Sequence, residues 1–290
     1  MKFSFVILHY NALSDTIECI DSIKKCVGAD CAIVVVDNKS PNGTGAELEE
    51  RYKGDAQVTV ILNEKNEGFA RGNNVGFRYA KEYQNPDFIV MLNNDTLILQ
   101  NDFAAQVESE YAQTQFAVLG PIIQTPHKPY SSNPGPSKLP SEKWFRKYLL
   151  KNKVKLVLNY MFGLDLFYEW LVRKVFGEKD KKFDESLLTH RAENVILHGS
   201  CLIFSKDYIS KFEGLNDRTF LYQEERLLFL RLQQNHLKSV FSPNIEIFHK
   251  EDAATKTVSV KSKLKRRFQY KNYIASVNVL LDVMRNGEKR

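Results

Sequence analysis

The sequence has 290 residues, 43% of them apolar, 12% aromatic and 26% charged. That is enough to bury one large core or two small ones, and it excludes a long disordered tract. The net charge of +6 is uneven: Lys138 to Lys182 carries twelve Lys/Arg against five Asp/Glu, Lys256 to Arg290 carries ten against two, and the remainder is acidic, so an anionic membrane or a nucleic acid is the kind of surface the two basic segments would meet.

Met1-Lys2-Phe3 leads straight into an alternating apolar strand, Phe3 to His9, and not into a signal peptide. No run of about 18 uncharged apolar residues exists, so no membrane-spanning helix is expected. After the loop Tyr10 to Ser14, Asp15 and Glu18 have capping-box spacing and open a helix to about Val27. Cys19 and Cys26 share a face of it with Ile20, Ile23 and Val27. With Cys31 and Cys201 they form no Cys-x-x-Cys pair and no zinc spacing, which predicts buried free thiols in a reducing compartment. Cys31 to Val36 is a second strand, ending in the polar turn Asp37 to Gly43. A helix through Glu47-Leu48 and a strand Val58 to Leu62 follow. A glycine- and amide-rich stretch, Asn63 to Gly76, enters a helix reaching about Tyr83.

The apolar run Phe88 to Leu92 then ends abruptly in Asn93-Asn94-Asp95-Thr96. Strand and helix alternate four times to this point, which predicts a parallel, doubly wound sheet. Such a sheet binds ligands beyond the carboxyl ends of its strands. The clusters His9-Tyr10-Asn11, Asp37-Asn38 and Asn93-Asn94-Asp95 should converge there. A nucleotide is the natural guest. Yet the loop after the first strand has no glycine, and no Walker-type loop exists, so the phosphates need cations from elsewhere. A magnesium or manganese ion on Asp95 would serve, and Asp37 can accept hydrogen bonds from a base or a ribose.

Residues 101–113 read as a helix, Ala117 to Leu119 as a short strand, and Pro121 to Pro140 as a loop with six prolines. The first basic segment mixes cations with Trp144, Phe145, Tyr148, Tyr160, Phe162, Phe167, Trp170 and Phe176 at helical spacing. It reads as a helical insertion that either lies on a membrane or packs on the body. Strand-helix character resumes from Asn194 to Phe204. Glu224-Glu225 open a helix, and strands at 239–241 and 245–248 end in His249. Tyr270, Ile274, Val277, Leu281 and Met284 form an apolar stripe on a basic tail helix. That helix could dock on the body, form a homodimer, or lie on an anionic bilayer.

Six motifs in this order resemble inverting glycosyltransferases of family 2, which have the GT-A fold, and particularly rhamnosyltransferase-like members that build bacterial polysaccharides. They are Ile7-Leu8-His9-Tyr10-Asn11, Val35-Val36-Asp37-Asn38-Lys39-Ser40, Asn66 to Gly76, Leu92 to Thr96 at the place of the Asp-x-Asp motif, the acceptor-side block, and His249. The acceptor-side block comprises His198-Gly199-Ser200-Cys201, Gly214 to Asp217 and Phe220 to Glu225. The resemblance implies a Rossmann-like, mostly parallel sheet flanked by helices. It implies a catalytic domain over 1–250, with 1–125 holding the nucleotide sugar, 138–182 inserted and 190–250 holding the acceptor, and a helical tail over 251–290.

By the same resemblance, Tyr10, Asn11, Asp37, Asn38, Gly68, Phe69, Arg71, Asn74 and Asn94 would bind the nucleotide sugar. His198, Gly199, Asp217 and Tyr222 would face the acceptor. Asp95 and His249 would hold Mn2+ or Mg2+, and Glu225 or its neighbour Glu224 would be the general base, with Glu225 favoured. Two departures stand out: Asn93 replaces the first Asp of Asp-x-Asp, and Leu227 stands where an Asp often follows. The implied donor is dTDP-rhamnose or a UDP-hexose, and the implied acceptor a lipid-linked glycan at the inner face of the cell membrane, with no nucleic-acid partner. The rival readings are a sugar nucleotidyltransferase, which should show a glycine- and basic-rich loop after the first strand, and a non-catalytic sugar-binding protein on the membrane.

Overall fold

The computed structural model describes residues 1–126, 131–161, 163–176, 185–251 and 262–288. Parts of the two basic segments (177–182, 256–261 and 289–290) and Phe162 lie outside these residues. The fold grows from four parallel strands, β1 (Phe3–His9), β2 (Cys31–Asp37), β3 (Val58–Leu62) and β4 (Phe88–Asn93), in the order β3-β2-β1-β4. Their side chains alternate between two apolar layers. Phe5, Ile7, Ile33, Val35 and Val90 face one side, where α1 (Leu13–Val27) adds Cys19, Ile20, Ile23 and Cys26. The short helix α2 (Thr44–Arg51) adds Leu48 to the same layer. Val6, Val34, Val36, Ile89 and Met91 face the other, covered by Ala70 and Phe77 of α3 (Phe69–Tyr79), which continues in a π turn over Ala80–Gln84. All four cysteines are buried free thiols, as expected.

Beyond β4 the sheet is mixed. The two-residue β5 (Thr96–Leu97), α4 (Phe103–Thr114), β6 (Val118–Gln124), β7 (Ala192–Glu193), β8 (Cys201–Ser205) and β9 (Ser239–His249) complete it. β8 runs antiparallel to both β4 and β6, β6 is parallel to β9, and β5 and β7 are antiparallel to β9. Three local expectations change. β6 runs on into the proline-rich segment, Pro121 included. Residues 239–249 form one long strand instead of two. Asp15 and Glu18 form no capping box; α1 starts at Leu13, and both carboxylates bind Lys250 Nζ, at 2.8 and 2.7 Å. An ammonium arriving from the end of β9 is a stronger partner than a helix-end amide.

The insertion is the helical pair α5 (Glu142–Tyr160) and α6 (Asp165–Phe176). After α7 (Lys206–Ile209) and α8 (Glu224–Gln234), the chain ends in α9 (Lys263–Asn286). Of the three roles open to α9, the structure shows docking on the body. Val277, Leu280, Leu281 and Val283 pack with Phe145 of α5 and Leu227 of α8. Arg266 Nε donates to Asp165 Oδ2 at 2.6 Å, and Tyr270 Oη to the same oxygen at 3.2 Å. Burial pushes the Asp165 carboxyl up, but these donors more than offset it and hold it below its ordinary value.

Candidate active site

The register of the parallel strands places their ends on one edge, with His9 opposite Asp37 and Leu8 opposite Asn93. Asp37 is buried at the end of β2. Its carboxylate accepts from the Ser40 amide at 3.1 and 3.2 Å and from Ser40 Oγ at 2.5 Å. His9 is clamped behind it between Thr16 and Thr44 hydroxyls at 2.7 and 2.9 Å. Burial lowers its pKa, against the pull of Asp37. Asn38 points into the protein. Its amide donates to Asn66 Oδ1 and the Gly68 carbonyl, and its oxygen accepts from the Glu67 amide at 2.9 Å. It latches the glycine-rich loop. Asn74 is also scaffold: its side chain makes two bonds to the Leu215 backbone, at 2.8 and 2.7 Å. A Cβ on Gly214 would lie 2.1 Å from Asn74 Oδ1, so that clamp requires glycine.

At the next strand end Asp95 meets His249. Asp95 Oδ1 accepts from His249 Nε2 at 3.0 Å, and both side chains are buried. The pairing of β5 with β9 sets Thr96 opposite His249, which is how residues 154 positions apart meet. Asn93 Nδ2 approaches the same imidazole nitrogen at 3.5 Å. His249 Nδ1 is buried without a hydrogen-bond partner among the described residues. No group of three or more His, Cys, Asp or Glu that could hold a metal is present among them. Asp95 nevertheless offers the hard oxygen that suits Mn2+ or Mg2+, and His249 Nε2 would join it as a ligand on giving up the proton it donates to Asp95, with diphosphate and water oxygens suited to the other positions. The pair therefore fits the implied ion, as two donors and not as a full cage.

Next to this pair lies a cleft of roughly 310 Å³ lined by Phe69, Asn93, His198, Gly199, Tyr222, Glu224, Glu225 and Tyr273. Tyr222 and Gln223 both have left-handed backbones, at φ 75° and 73°. Such conformations cost energy in non-glycine residues and cluster at functional sites. Here they turn the chain sharply into α8, so that Glu224 and Glu225 stand at its first turn. Glu225 is half-buried, with Oε1 3.4 Å from the Gly199 amide. Glu224 is buried and accepts from Thr219 Oγ1 at 3.1 Å. Burial, with the Glu225 carboxylate adding to it, lifts Glu224 to about 7.

That shift gives a stability prediction. Between its ordinary value of 4.5 and about 7, native Glu224 keeps a proton that the unfolded chain has released. Stability therefore falls as pH rises through this window, by up to about 3 kcal/mol. Glu224→Gln should raise the unfolding temperature at pH 8 and leave it unchanged at pH 4. Thermal melts at the two pH values check this; an equal effect at both would refute it.

The remaining expected residues divide. His198 joins the cleft: its amide donates to Asn133 Oδ1 at 2.8 Å, and its ring lies 6.2 Å from that of His249. Asn94 reaches Thr16 Oγ1 at 3.0 Å. Tyr10 is exposed, and Asn11, at φ 66°, binds Ser40 Oγ through its amide. Gly68 lies against the Phe220 backbone, where a Cβ would sit 2.3 Å from the carbonyl oxygen. Arg71 and Asp217 lie elsewhere, lining a second cleft near Asn63 and Glu67, with Arg71 Nε donating to the Asp217 carbonyl at 2.8 Å. Residues not anticipated are Thr219, Asn133 and, from α9, Tyr273, whose ring stacks on Tyr222 with centroids 3.9 Å apart. Leu227 is core, packed with Val277 and Leu280, which explains a leucine at that position.

A mixed sheet with Asp37 and Asp95 at one edge and a glutamate pair in the adjoining cleft is the arrangement of a GT-A domain. The solved structures agree on the fold. TarS of S. aureus with UDP-GlcNAc has a TM-score of 0.54 at 15% identity, over 96% of this chain and 66% of that one. GalNAc-T7 with UDP, GalNAc and Mn2+ scores 0.58 at 14%, over 93% and 47%. The mannosyltransferase PcManGT of Pyrobaculum calidifontis with GDP-Man and Mn2+ scores 0.55 at 14%, over 100% and 66%. The chain belongs to glycosyl transferase family 2, whose sequence model matches residues 4–164. It is 23% identical over 223 residues to the low-salt glycan biosynthesis hexosyltransferase Agl10 of Haloferax volcanii, covering 77% of this chain and 58% of that protein. It is 27% identical over 112 residues to the glycosyltransferase GlyG of Streptococcus pneumoniae, covering 39% and 35%. It thus spans little more than half of the longer match and about a third of the other.

Proposed function

We propose that this chain is an inverting glycosyltransferase that moves a sugar from a nucleoside-diphosphate donor to a hydroxyl of a growing, lipid-linked bacterial glycan. The supporting observation is the grouping at one sheet edge: Asp37, then Asp95 with His249, with Glu224 and Glu225 lining the adjoining cleft. Asp37 binds the nucleoside, held ready by Ser40. Asp95 and His249 would hold a divalent cation, which would supply positive charge against the leaving diphosphate. Glu225 takes the proton of the acceptor hydroxyl as its oxygen attacks the anomeric carbon, and the bond to the diphosphate breaks with its electron pair. One displacement inverts the centre. Glu224 is less suited to the base role, since Thr219 already engages its buried carboxyl. The relatives and solved neighbours that act on or bind sugars and nucleotide sugars support a donor of this class. Rhamnose or a hexose on dTDP or UDP is the donor range we propose.

Gly45 gives a test of the nucleoside end. A Cβ there would lie 2.2 Å from Asp37 Oδ2. Gly45→Ala must displace the carboxylate, and should raise the donor KM about tenfold or more while kcat changes less. An unchanged donor KM would remove Asp37 from the binding role. For the class of substrate, a panel of nucleotide sugars with and without Mn2+ is the screen. One donor should raise the unfolding temperature and be slowly hydrolysed. Consumption of a nucleoside triphosphate with a sugar phosphate would instead indicate a nucleotidyltransferase.

A further inference from the structure

Beyond Phe145, Tyr148 and Leu149, which pack towards α9, the α5–α6 hairpin buries polar side chains and exposes apolar ones. Its buried positions include Asn152, Asn159 and Asp165. These are satisfied internally: Asn159 donates to Asp165 at 3.2 Å and accepts from Arg267 Nε at 3.2 Å, while Arg266 binds Asp165. Six of its apolar side chains face outward. Leu150, Val154 and Val157, at helical spacing on α5, are 39–63% exposed, and Phe167, Trp170 and Leu171 on α6 are 44–61% exposed. A water-facing helix hides such residues and shows its amides. Exposed apolar side chains in this number on two adjoining helices mark an interaction surface.

The charge around that face selects its occupant. Lys147, Lys151, Lys153 and Lys174 are exposed along the two helices, the last with Nζ 5.0 Å from the Trp170 ring centroid. A second copy across a two-fold axis would set this cationic segment against itself. Anionic headgroups complement it, and Trp and Tyr favour the membrane–water boundary. We propose that the α5–α6 face docks in the plane of an anionic lipid bilayer, with Phe167, Trp170 and Leu171 entering the headgroup region. No described helix is long and apolar enough to cross the membrane, so this is surface binding. The hairpin adjoins the cleft. Tyr148 of α5 meets Tyr273 edge-on at 6.2 Å, and Tyr273 stacks on Tyr222 in the cleft wall. A lipid-linked acceptor would then reach the cleft from the docked side; this last step alone rests on the glycosyltransferase reading.

Flotation with phosphatidylcholine vesicles, with and without phosphatidylglycerol, tests the surface without any sugar donor. The protein should float with the anionic vesicles, less so as salt rises. The variant Phe167→Ser/Trp170→Ser/Leu171→Ser should lose about 10²-fold in partitioning, with its thermal unfolding unchanged. In a Trp144→Phe background, where Trp170 is the remaining tryptophan, anionic vesicles should shift its emission to the blue. Three results would overturn the proposal: wild type ignoring anionic vesicles, the triple variant floating as well as wild type, or a wild-type dimer that the triple substitution dissolves.

Discussion

Glu225→Gln should lower sugar transfer by about 10³-fold or more while donor affinity stays within about twofold. The glutamine keeps the volume and the approach to the Gly199 amide, so the cleft should not collapse. It removes only the ability to take a proton, which is needed as the acceptor oxygen attacks. The loss should therefore fall on kcat. Glu224→Gln is the contrasting variant. Its carboxyl touches Thr219 and is buried, so the amide should cost activity about tenfold at most. Steady-state kinetics on both variants decide the assignment. Equal losses would make the pair act as one base, and a larger loss for Glu224→Gln would reverse the roles.

Asp95→Ala should carry the second large effect, a loss of about 10³-fold or more in kcat/KM together with the response to Mn2+. Asn93 stands where the motif has its other carboxylate, so Asp95 is the sole acid in the turn that ends β4. Removing it leaves His249 with no carboxylate partner. The complementary change is Asn93→Asp. Its side chain already approaches His249 Nε2, so a carboxylate there should lower the Mn2+ concentration for half-maximal activity about tenfold. Titration of activity with Mn2+ across wild type and both variants checks this. An Asp95→Ala enzyme that keeps its Mn2+ response would place the ion elsewhere.

Much of the β1–β4 half of the fold was legible because its signals are local. Apolar runs of strand length end in Asp37 and Asp95, and parallel strands necessarily bring their ends together. The glutamate pair was legible as a motif at a helix start. What composition and spacing could not separate was ligand-facing from structural amides within one motif. Asn38 and Asn74 look like ligand contacts in sequence, yet both spend their amides on protein groups, Asn74 across 141 positions on Leu215. Arg71 and Asp217 were expected beside different parts of the guest and instead meet each other at a second cleft. Tyr273 was hidden for a related reason. It sits on a tail helix whose apolar stripe announces docking but not its place, and its contribution to the cleft depends on α9 packing against α5 and α8. The Asp15–Glu18 spacing misled because a distant lysine outbids a local amide.

If Asp95 and Glu225 act on one donor, transfer is a single inverting displacement. Proton NMR of the sugar first released from an α-linked nucleotide donor tests it most directly. Wild type should release the β anomer, and Glu225→Gln should release it at least about 10²-fold more slowly. Release of the α anomer, or equal rates from the two proteins, would contradict it.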